Sequence, residues 1–260
     1  MPSDAPELVA DPARRTGRTL LAGGVAQSYV DVADPRHLHF EYVRRMAALL
    51  DLAAPPGVPL TALHLGGGAL TLPRYLAATR PGSPQTVVER DARVVELVAR
   101  ELPPLPPEVR VDVADARAAV TAAPAGRYDV VLGDVYRAAR MPGHVAGVEF
   151  VAEVARVLRP DGAYLLNVTD LPPLVFCRTQ VATLRAVFAD VCLVADRRMV
   201  RGRRYGNLVL AAAVRPGRLP VTRLAARVAR DPLPGVVLHA QTLDAFVAGA
   251  RPATDATLAP

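Results

Sequence analysis

The chain has 260 residues, of which 51% are hydrophobic, and a formal net charge of +6. This length and composition exclude a disordered protein and fit one α/β domain with a sizeable core and a small appendage. The 31 basic residues are all arginines and are mostly scattered, which indicates a charged surface and argues against a nucleic-acid partner.

The sequence carries no pattern typical of a metal site or a membrane segment. Cys177 and Cys192 lack a metal-type spacing, and the histidines are not spaced with carboxylates as ligands would be. We therefore expect no metal, and two reduced thiols that pack in the core. No apolar run has the length of a membrane span, and no signal-peptide pattern is present, so a cytoplasmic protein is expected.

The first sixty residues predict a flexible tail followed by a small module. Residues 1–17 show no periodicity, which predicts the tail. Residues 18–31 contain two strand-like runs around Gly23-Gly24, the pattern of a β-hairpin. Residues 38–52 predict a helix, and the prolines that follow end it. The predicted module covers residues 18–59, and its hairpin edge is the surface through which a homodimer is expected to form.

From residue 60 the chain alternates between strand and helix patterns. Strands are predicted at residues 60–65, 86–88, 109–113, 128–132, 163–168, 191–194 and 207–213, with helices at 70–78, 92–101, 147–158 and 173–188. This order predicts an α/β fold class with a doubly wound, mostly parallel seven-stranded sheet across residues 60–215. The last two strands are expected to pair antiparallel. Residues 216–260 predict a helical extension and tail.

A glycine turn and an acid mark the expected ligand site. Gly66, Gly67 and Gly68 follow the first buried strand, and Glu89 ends the next one. Glycines let a ligand approach the backbone at a helix N-terminus, and an acid in this position accepts hydrogen bonds from a ribose diol. The pattern therefore predicts nucleoside binding. Thr71 occupies the place of the third glycine of a dinucleotide fingerprint, which disfavours NAD.

Two more acids follow predicted strands. Asp115 comes just after the third strand and Asp134 ends the fourth, and open α/β sheets bind ligands at these strand ends. Asp115 directly precedes a helix, so it is expected to cap that helix, to contact an adenine, or to do both. Asp134 precedes a loop, which favours a functional role.

These segments resemble the spermidine synthase family, the polyamine aminopropyltransferases, whose fold is that of class I methyltransferases. The resemblance spans about residues 27–213. It is carried by Leu65-Gly66-Gly67-Gly68, Val87-Val88-Glu89-Arg90-Asp91, Asp115-Ala116, residues 128–134, residues 158–162, Gln27-Ser28-Tyr29 and Phe40-Glu41-Tyr42.

The resemblance implies a Rossmann-like transferase of polyamine biosynthesis that uses S-adenosylmethionine or its decarboxylated form as co-substrate. Glu89 would bind the ribose, Asp115 the adenine, and Asp134 would be the catalytic acid at the reacting centre. The implied cofactor-binding set is Gly66, Gly67, Gly68, Glu89, Arg90, Asp115, Ala116 and Asp134. Residues expected to bind the small-molecule acceptor are Gln27, Tyr42, Tyr136 and Arg137.

Two positions depart from the family pattern. Ala69 stands where aminopropyltransferases carry an Asp that holds the aminopropyl amine, and Arg137 replaces the second acid of their D-x-x-D-P loop. A diamine needs carboxylates to replace its hydration, so these changes disfavour putrescine as the acceptor. A guanidinium suits a carboxylate, such as the amino-acid end of intact S-adenosylmethionine or an acidic acceptor.

Several interpretations therefore stay open. Aminopropyl transfer follows from the resemblance, methyl transfer suits the altered site, and a non-catalytic nucleoside-binding homologue fits the loss of two acids. Tyr42 is expected either to wall the acceptor site or to pack in the core. His64 stands where a methyltransferase has an acid, and a core or edge role is favoured for it. The arginine-rich segment 197–205 is interpreted as a solvated connection.

Overall fold

The computed structural model describes residues 5–137 and 140–258. The N-terminal part contains β1 (Glu7–Asp11), β2 (Arg14–Ala22), β3 (Val25–Asp31) and α1 (Glu41–Ala53). The central part contains β4 (Ala62–Leu65), α2 (Thr71–Thr79), β5 (Gln85–Glu89), α3 (Ala92–Glu101), β6 (Val109–Val113), α4 (Ala116–Ala122), β7 (Tyr128–Gly133), a 3₁₀ turn (Gly143–Val145), α5 (Val148–Val157) and β8 (Leu158–Asp170). The remainder contains α6 (Val175–Arg185), β9 (Asp190–Asp196), α7 (Arg197–Val200), β10 (Gly206–Ala213), α8 (Val221–Val228), β11 (Gly235–His239), α9 (Gln241–Val247) and α10 (Asp255–Leu258).

The main sheet confirms the predicted α/β class. Within the described residues its eight strands follow the order β11-β9-β10-β8-β7-β4-β5-β6. Strands β4 to β8 pair in parallel, and β10 runs antiparallel to both β8 and β9, as predicted for the last two strands. The chain builds outward from β4 to β6 and then returns to place β7 on the other side of β4. The point where the strand order reverses therefore lies between β4 and β7.

Helices cover both faces of this sheet, because its central strands are apolar on both sides. Strand β4 is buried along its whole length, and β7 along all but Asp129. One core packs α1, α2 and α8 against one face, and another packs α4, α5, α6 and α9 against the opposite face. Cys177 lies in the second of these cores and Cys192 in the first, both fully buried. No helix of the described residues is both long and apolar enough to cross a bilayer.

The N-terminal strands form a separate antiparallel sheet in the order β1-β2-β3. Its apolar face packs near the glycine turn, where Leu20 and Val30 join Leu70, Val87 and Val94 in one buried cluster. The small sheet therefore packs against the start of α2, the helix that follows the glycines.

Two predictions about the ends of the chain are wrong. Residues 1–17 were expected to be a flexible tail, yet β1 pairs with β2 over most of its length and β2 begins at Arg14. The main sheet has an eighth strand, because β11 pairs with β9 at the edge. Each of these strands has only three consecutive apolar residues, and none of its residues is fully buried, so the pattern of a buried strand is weak there. Residues 1–4 of the predicted tail and 259–260 of the C-terminal extension lie outside the described residues.

Candidate active site

The glycine turn after β4 and the acid after β7 meet at the point where the strand order reverses. Gly66 has a φ of +94°, and a Cβ on it would lie 2.1 Å from the carbonyl oxygen of Asp134. Only glycine therefore allows the two strand ends to come this close. A cleft of about 860 Å³ opens above them, bordered by the N-terminal sheet and by the ends of β5, β7 and β8.

Glu89 points into this cleft and is fixed by the backbone of the turn. Its Oε2 accepts hydrogen bonds from the amides of Gly67 at 2.9 Å and Gly68 at 3.3 Å, and its Oε1 accepts one from the amide of Asp91 at 3.0 Å. A carboxylate has further acceptor capacity after these bonds are made. Glu89 is therefore held in one orientation while it can still accept hydrogen bonds from a diol.

Asp115 has a capping role and also lines the cleft. Its Oδ1 accepts hydrogen bonds from the amides of Arg117 at 2.9 Å and Ala118 at 3.2 Å, which caps α4. Its Oδ2 lies 2.9 Å from Nε2 of His144. Burial raises the pKa of Asp115, but the hydrogen bonds from His144 and the two amides outweigh burial and leave it below its usual value. Asp115 is therefore ionised and oriented, and the buried Ala116 lies beside it in the cleft wall.

Asp134 is held by two side chains from different elements. Tyr42 Oη, from α1, donates to Oδ2 at 3.0 Å, and Asn167 Nδ2, from β8, donates to Oδ1 at 2.8 Å. Burial raises the pKa of Asp134, the hydrogen bonds from Asn167 and Tyr42 lower it in part, and the net pKa is above its usual value. The negative charge of Glu89 adds to the rise in the pKa of Asp134. A carboxylate with a raised pKa can accept a proton from a bound nucleophile.

The residues predicted to bind the acceptor have different environments. Tyr136 lies beside the cleft, but its hydroxyl donates to the carbonyl of Asn167 at 2.9 Å and accepts from the amide of Thr169 at 2.6 Å. The side chains of Arg137 and Gln27 are exposed at the rim. Arg90 is exposed as well and lines the cleft. Of the four predicted acceptor-site residues, Tyr42 contacts Asp134. Gln27 and Arg137 lie at the rim, and the hydroxyl of Tyr136 is bonded to backbone groups.

Ala69 is closed off from solvent. It is 0% exposed and packs in the apolar cluster with Leu20 and Val30 of the N-terminal sheet. The adjoining contact is polar: Ser28 Oγ lies 3.1 Å from Thr71 Oγ1, which donates to the carbonyl of Tyr29 at 2.7 Å. Because Ala69 itself is buried among apolar side chains, the position directly after the glycines serves for packing.

Sequence reasoning missed Asn167 and His144, which position the two strand-end acids. Asn167 is a polar residue within the apolar strand β8, next to the strand that ends at Asp134, and that interruption was the available signal. His144 follows a loop whose path the sequence does not define. His64 has the predicted core role: it is 2% exposed, its Nε2 lies 2.8 Å from Gln85 Oε1, and burial lowers its pKa to about 4.

Potential metal-ligating side chains of the described residues do not form a cluster. Among residues 5–137 and 140–258, no three histidine, cysteine, aspartate or glutamate side chains lie close enough together to hold a metal ion.

Comparison with known proteins gives a clear match among solved structures. No protein-family model matches the chain, and no match is found among curated protein sequences. A probable spermidine synthase from Corynebacterium glutamicum is 30% identical, with a TM-score of 0.87, over 96% of this chain and 92% of that one.

More distant structures share the fold alone. The spermidine synthase from Thermotoga maritima is 15% identical, with a TM-score of 0.59, over 89% of this chain and 77% of that one. Human methyltransferase-like protein 13 is 23% identical, with a TM-score of 0.60, over 82% of this chain and 95% of that one. The identity and coverage shared with the Corynebacterium protein show that this chain belongs to the spermidine synthase family of transferases, with the class I methyltransferase fold.

Proposed function

We propose that this chain transfers an alkyl group from an adenosyl sulfonium donor to a nucleophilic acceptor, as an aminopropyltransferase-like enzyme. The observation that carries the proposal is the placement of two fixed carboxylates, Glu89 and Asp134, on either side of the glycine turn in one cleft. The structure of human methyltransferase-like protein 13 is a complex with SAH, and a further spermidine synthase structure, 14% identical to this chain with a TM-score of 0.59, is a complex with the transition-state analogue AdoDATO. Both neighbours support a ligand related to S-adenosylmethionine.

In this proposal the adenosine is held along the ends of β4, β5 and β6. Glu89 accepts hydrogen bonds from the ribose hydroxyls, and Asp115 accepts one from the adenine amine beside Ala116. Asp115 would keep its hydrogen bonds with the α4 amides and with His144, and the hydrogen bond from the adenine amine would be an additional one.

Asp134 then acts on the acceptor. The nucleophile forms a bond to the carbon next to the sulfonium sulfur, the carbon–sulfur bond breaks, and its electron pair stays on the thioether. The proton of the nucleophile passes to the Asp134 carboxylate, whose raised pKa suits it to receive one. Rate acceleration comes mainly from holding the two reactants in line, which the rigid strand ends favour.

A second candidate function, methyl transfer from intact S-adenosylmethionine, is favoured by one specific observation. Ala69 is fully buried among apolar side chains, so no carboxylate stands there to hold the amine of an aminopropyl group. The exposed Arg137 offers a partner for a carboxylate instead. The family resemblance and the altered site thus favour different transferred groups from the same cleft.

Calorimetry with the purified chain separates these proposals. Tighter binding of decarboxylated S-adenosylmethionine supports aminopropyl transfer, and tighter binding of the intact donor supports methyl transfer. Donor binding without release of methylthioadenosine or S-adenosylhomocysteine, over a panel of amine and carboxylate acceptors, would support a non-catalytic homologue. No binding of either donor or of methylthioadenosine would refute the proposed use of the cleft.

A variant pair locates the ligand. Glu89→Ala is expected to weaken binding of the preferred donor about 10- to 100-fold, because charged hydrogen bonds to the ribose are lost. Glu96→Ala is the matched control, since Glu96 is exposed on α3 outside the cleft and its removal should leave affinity unchanged.

A further inference from the structure

The cleft in which we propose that the sulfonium donor binds is called the donor cleft, and another cavity lies on the far side of α1 from it. It measures about 670 Å³ and is lined mainly by residues of α1 and α8 and of the segments next to them, together with Tyr75 of α2. In the described part of the chain its charged lining consists of six arginines and one carboxylate, namely Arg36, Arg44, Arg45, Arg223, Arg227, Arg230 and Asp231. We call it the arginine cavity.

Half of these arginines are occupied by partners. Arg44 makes a two-bond contact to Asp231, at 2.9 and 3.0 Å, and also donates to two backbone carbonyls of the preceding loop. Arg227 pairs with Asp51, and Arg36 donates to the carbonyl of Ala78 at 3.1 Å. The single lining carboxylate, that of Asp231, is therefore paired with Arg44, and its Oδ1 also accepts a hydrogen bond from the amide of Leu233.

The other half form no hydrogen bond with any carboxylate of the described residues. The side chains of Arg223 and Arg230 are exposed and form no hydrogen bond or ion pair with any described residue. Arg45 is only 1% exposed, and neither of its terminal nitrogens has a hydrogen-bond partner among residues 5–137 and 140–258. Its nearest acid is Glu41 at 3.7 Å, which Arg204 also contacts. Removing a guanidinium from water without such bonds is costly, and a bound anion would reduce that cost.

We propose that the arginine cavity binds an oligophosphate, either a free phosphate chain or the triphosphate of a nucleotide. Planar guanidinium groups match phosphate oxygens with paired hydrogen bonds, and several of them around one space suit a ligand with several charges in a row. A single phosphate or carboxylate would neutralise only part of this lining. The volume, about 670 Å³, is that of a small-molecule site.

The arginine cavity is separate from the donor cleft. Tyr42, Val43 and Met46 of α1 line the cleft, whereas Arg44, Arg45 and further residues on the opposite side of α1 line the cavity. The two linings share no residue, so the proposal is independent of the proposed transferase activity.

Titration calorimetry of the full chain with inorganic tripolyphosphate tests the site. Saturable binding of one tripolyphosphate per chain at near-physiological salt is expected. The double variant Arg223→Gln, Arg230→Gln should weaken it about tenfold or more, because two exposed charged contacts are lost. Arg45→Met should weaken it as well, since it removes the deepest charge. The control, Arg100→Gln with Arg110→Gln, removes the same charge near the β6 edge, where each arginine pairs with a neighbouring acid, and should change affinity less than about twofold.

Four results would overturn the proposal: no binding, equal losses in the two double variants, displacement of tripolyphosphate by methylthioadenosine, or equally tight binding of citrate. Displacement would place the anion in the donor cleft, and equal losses would mean attraction to the general positive charge. Repeating the titration with ATP distinguishes a nucleotide triphosphate from a free phosphate chain as the ligand. Tighter binding of ATP that is lost in Arg223→Gln, Arg230→Gln supports a nucleotide, and weaker binding of ATP supports a free phosphate chain.

Discussion

The donor cleft and the arginine cavity lie on opposite sides of α1 and are built in different ways. The cleft's charged lining among the described residues includes four carboxylates, and one of them, Glu89, accepts hydrogen bonds from two amides of the glycine turn and from the amide of Asp91. The arginine cavity is lined by long side chains from α1 and α8, which come from distant parts of the chain. We therefore expect ligand binding in the donor cleft to depend on the backbone geometry of the glycine turn. Binding in the arginine cavity should depend mainly on the number of charged side chains.

The largest expected effect concerns the reacting end of the cleft. Asp134→Asn keeps the shape of the side chain and removes its ability to accept a proton, so turnover should fall about 10²- to 10⁴-fold while donor affinity changes little. Steady-state kinetics and donor calorimetry measure the two quantities. Asp112→Asn is the control, because Asp112 also lies at a strand end in the parallel sheet and pairs with Arg110 outside the cleft. Equal turnover in both variants would contradict the assigned role of Asp134.

The glycine turn gives the next largest effect. Gly66→Ala should lower the free energy of unfolding by about 2–4 kcal/mol, because the residue has a positive φ and the new Cβ would lie 2.1 Å from the carbonyl oxygen of Asp134. Gly57→Ala has a similar φ of +77° and no neighbour within 4 Å, so it should lose only about 1 kcal/mol. Chemical denaturation of the two variants isolates the cost of the close contact. Equal losses would mean that the strand ends are free to separate.

The central sheet and the meeting of Gly66, Glu89 and Asp134 at one cleft could be predicted from the sequence, because their signals are local. Buried strands β4 and β7 consist mostly of apolar residues, and the glycine turn and Asp134 directly follow them. The parallel order then brings Gly66, Glu89 and Asp134 to one edge without further information.

The rest depends on contacts between distant segments. The support of Asp134 by Asn167 and of Asp115 by His144 requires the register of β8 and the path of a loop. The arginine cavity joins residues 36–52 to 223–231, and in a chain with scattered arginines no short pattern singles these out. Short strands such as β1 and β11 pair with a neighbouring strand and place only a few partly buried side chains against a core, so periodicity does not reveal them.

Substitutions of Arg44 and Arg45, two adjacent residues of the arginine cavity, should have opposite effects on the free energy of unfolding. Without an anion, Arg45→Met should leave the free energy of unfolding unchanged or raise it by about 1–2 kcal/mol, since a buried guanidinium without hydrogen bonds is replaced by an apolar side chain. Arg44→Met should lower it by about 1.5–3 kcal/mol, because the two-bond contact to Asp231 is lost. Chemical denaturation in a phosphate-free buffer measures both. A loss in Arg45→Met as large as that in Arg44→Met would show that Arg45 is compensated within the fold.

The smallest expected effect is a shift in pH dependence at the cleft. Tyr42 donates a hydrogen bond to the ionised form of Asp134, and this bond lowers the pKa of that carboxyl. Tyr42→Phe removes the bond, so the pKa of Asp134 should rise further. Because the carboxylate is the active form, the acidic limb of the kcat/KM profile should move to higher pH by up to about one unit.

The ratio of the variant profile to the native one removes the titration of the acceptor, which is common to both enzymes. Tyr75→Phe is the matched control, since the hydroxyl of Tyr75 donates to Asp51 outside the cleft and its loss should leave the acidic limb in place. A shift to lower pH in Tyr42→Phe, or equal shifts in both variants, would mean that the ionisation of Asp134 does not govern the acidic limb. A shift confined to Tyr42→Phe would show that a hydrogen bond from α1 sets the pKa of the proton acceptor in the cleft. The opposite side of the same helix borders the arginine cavity.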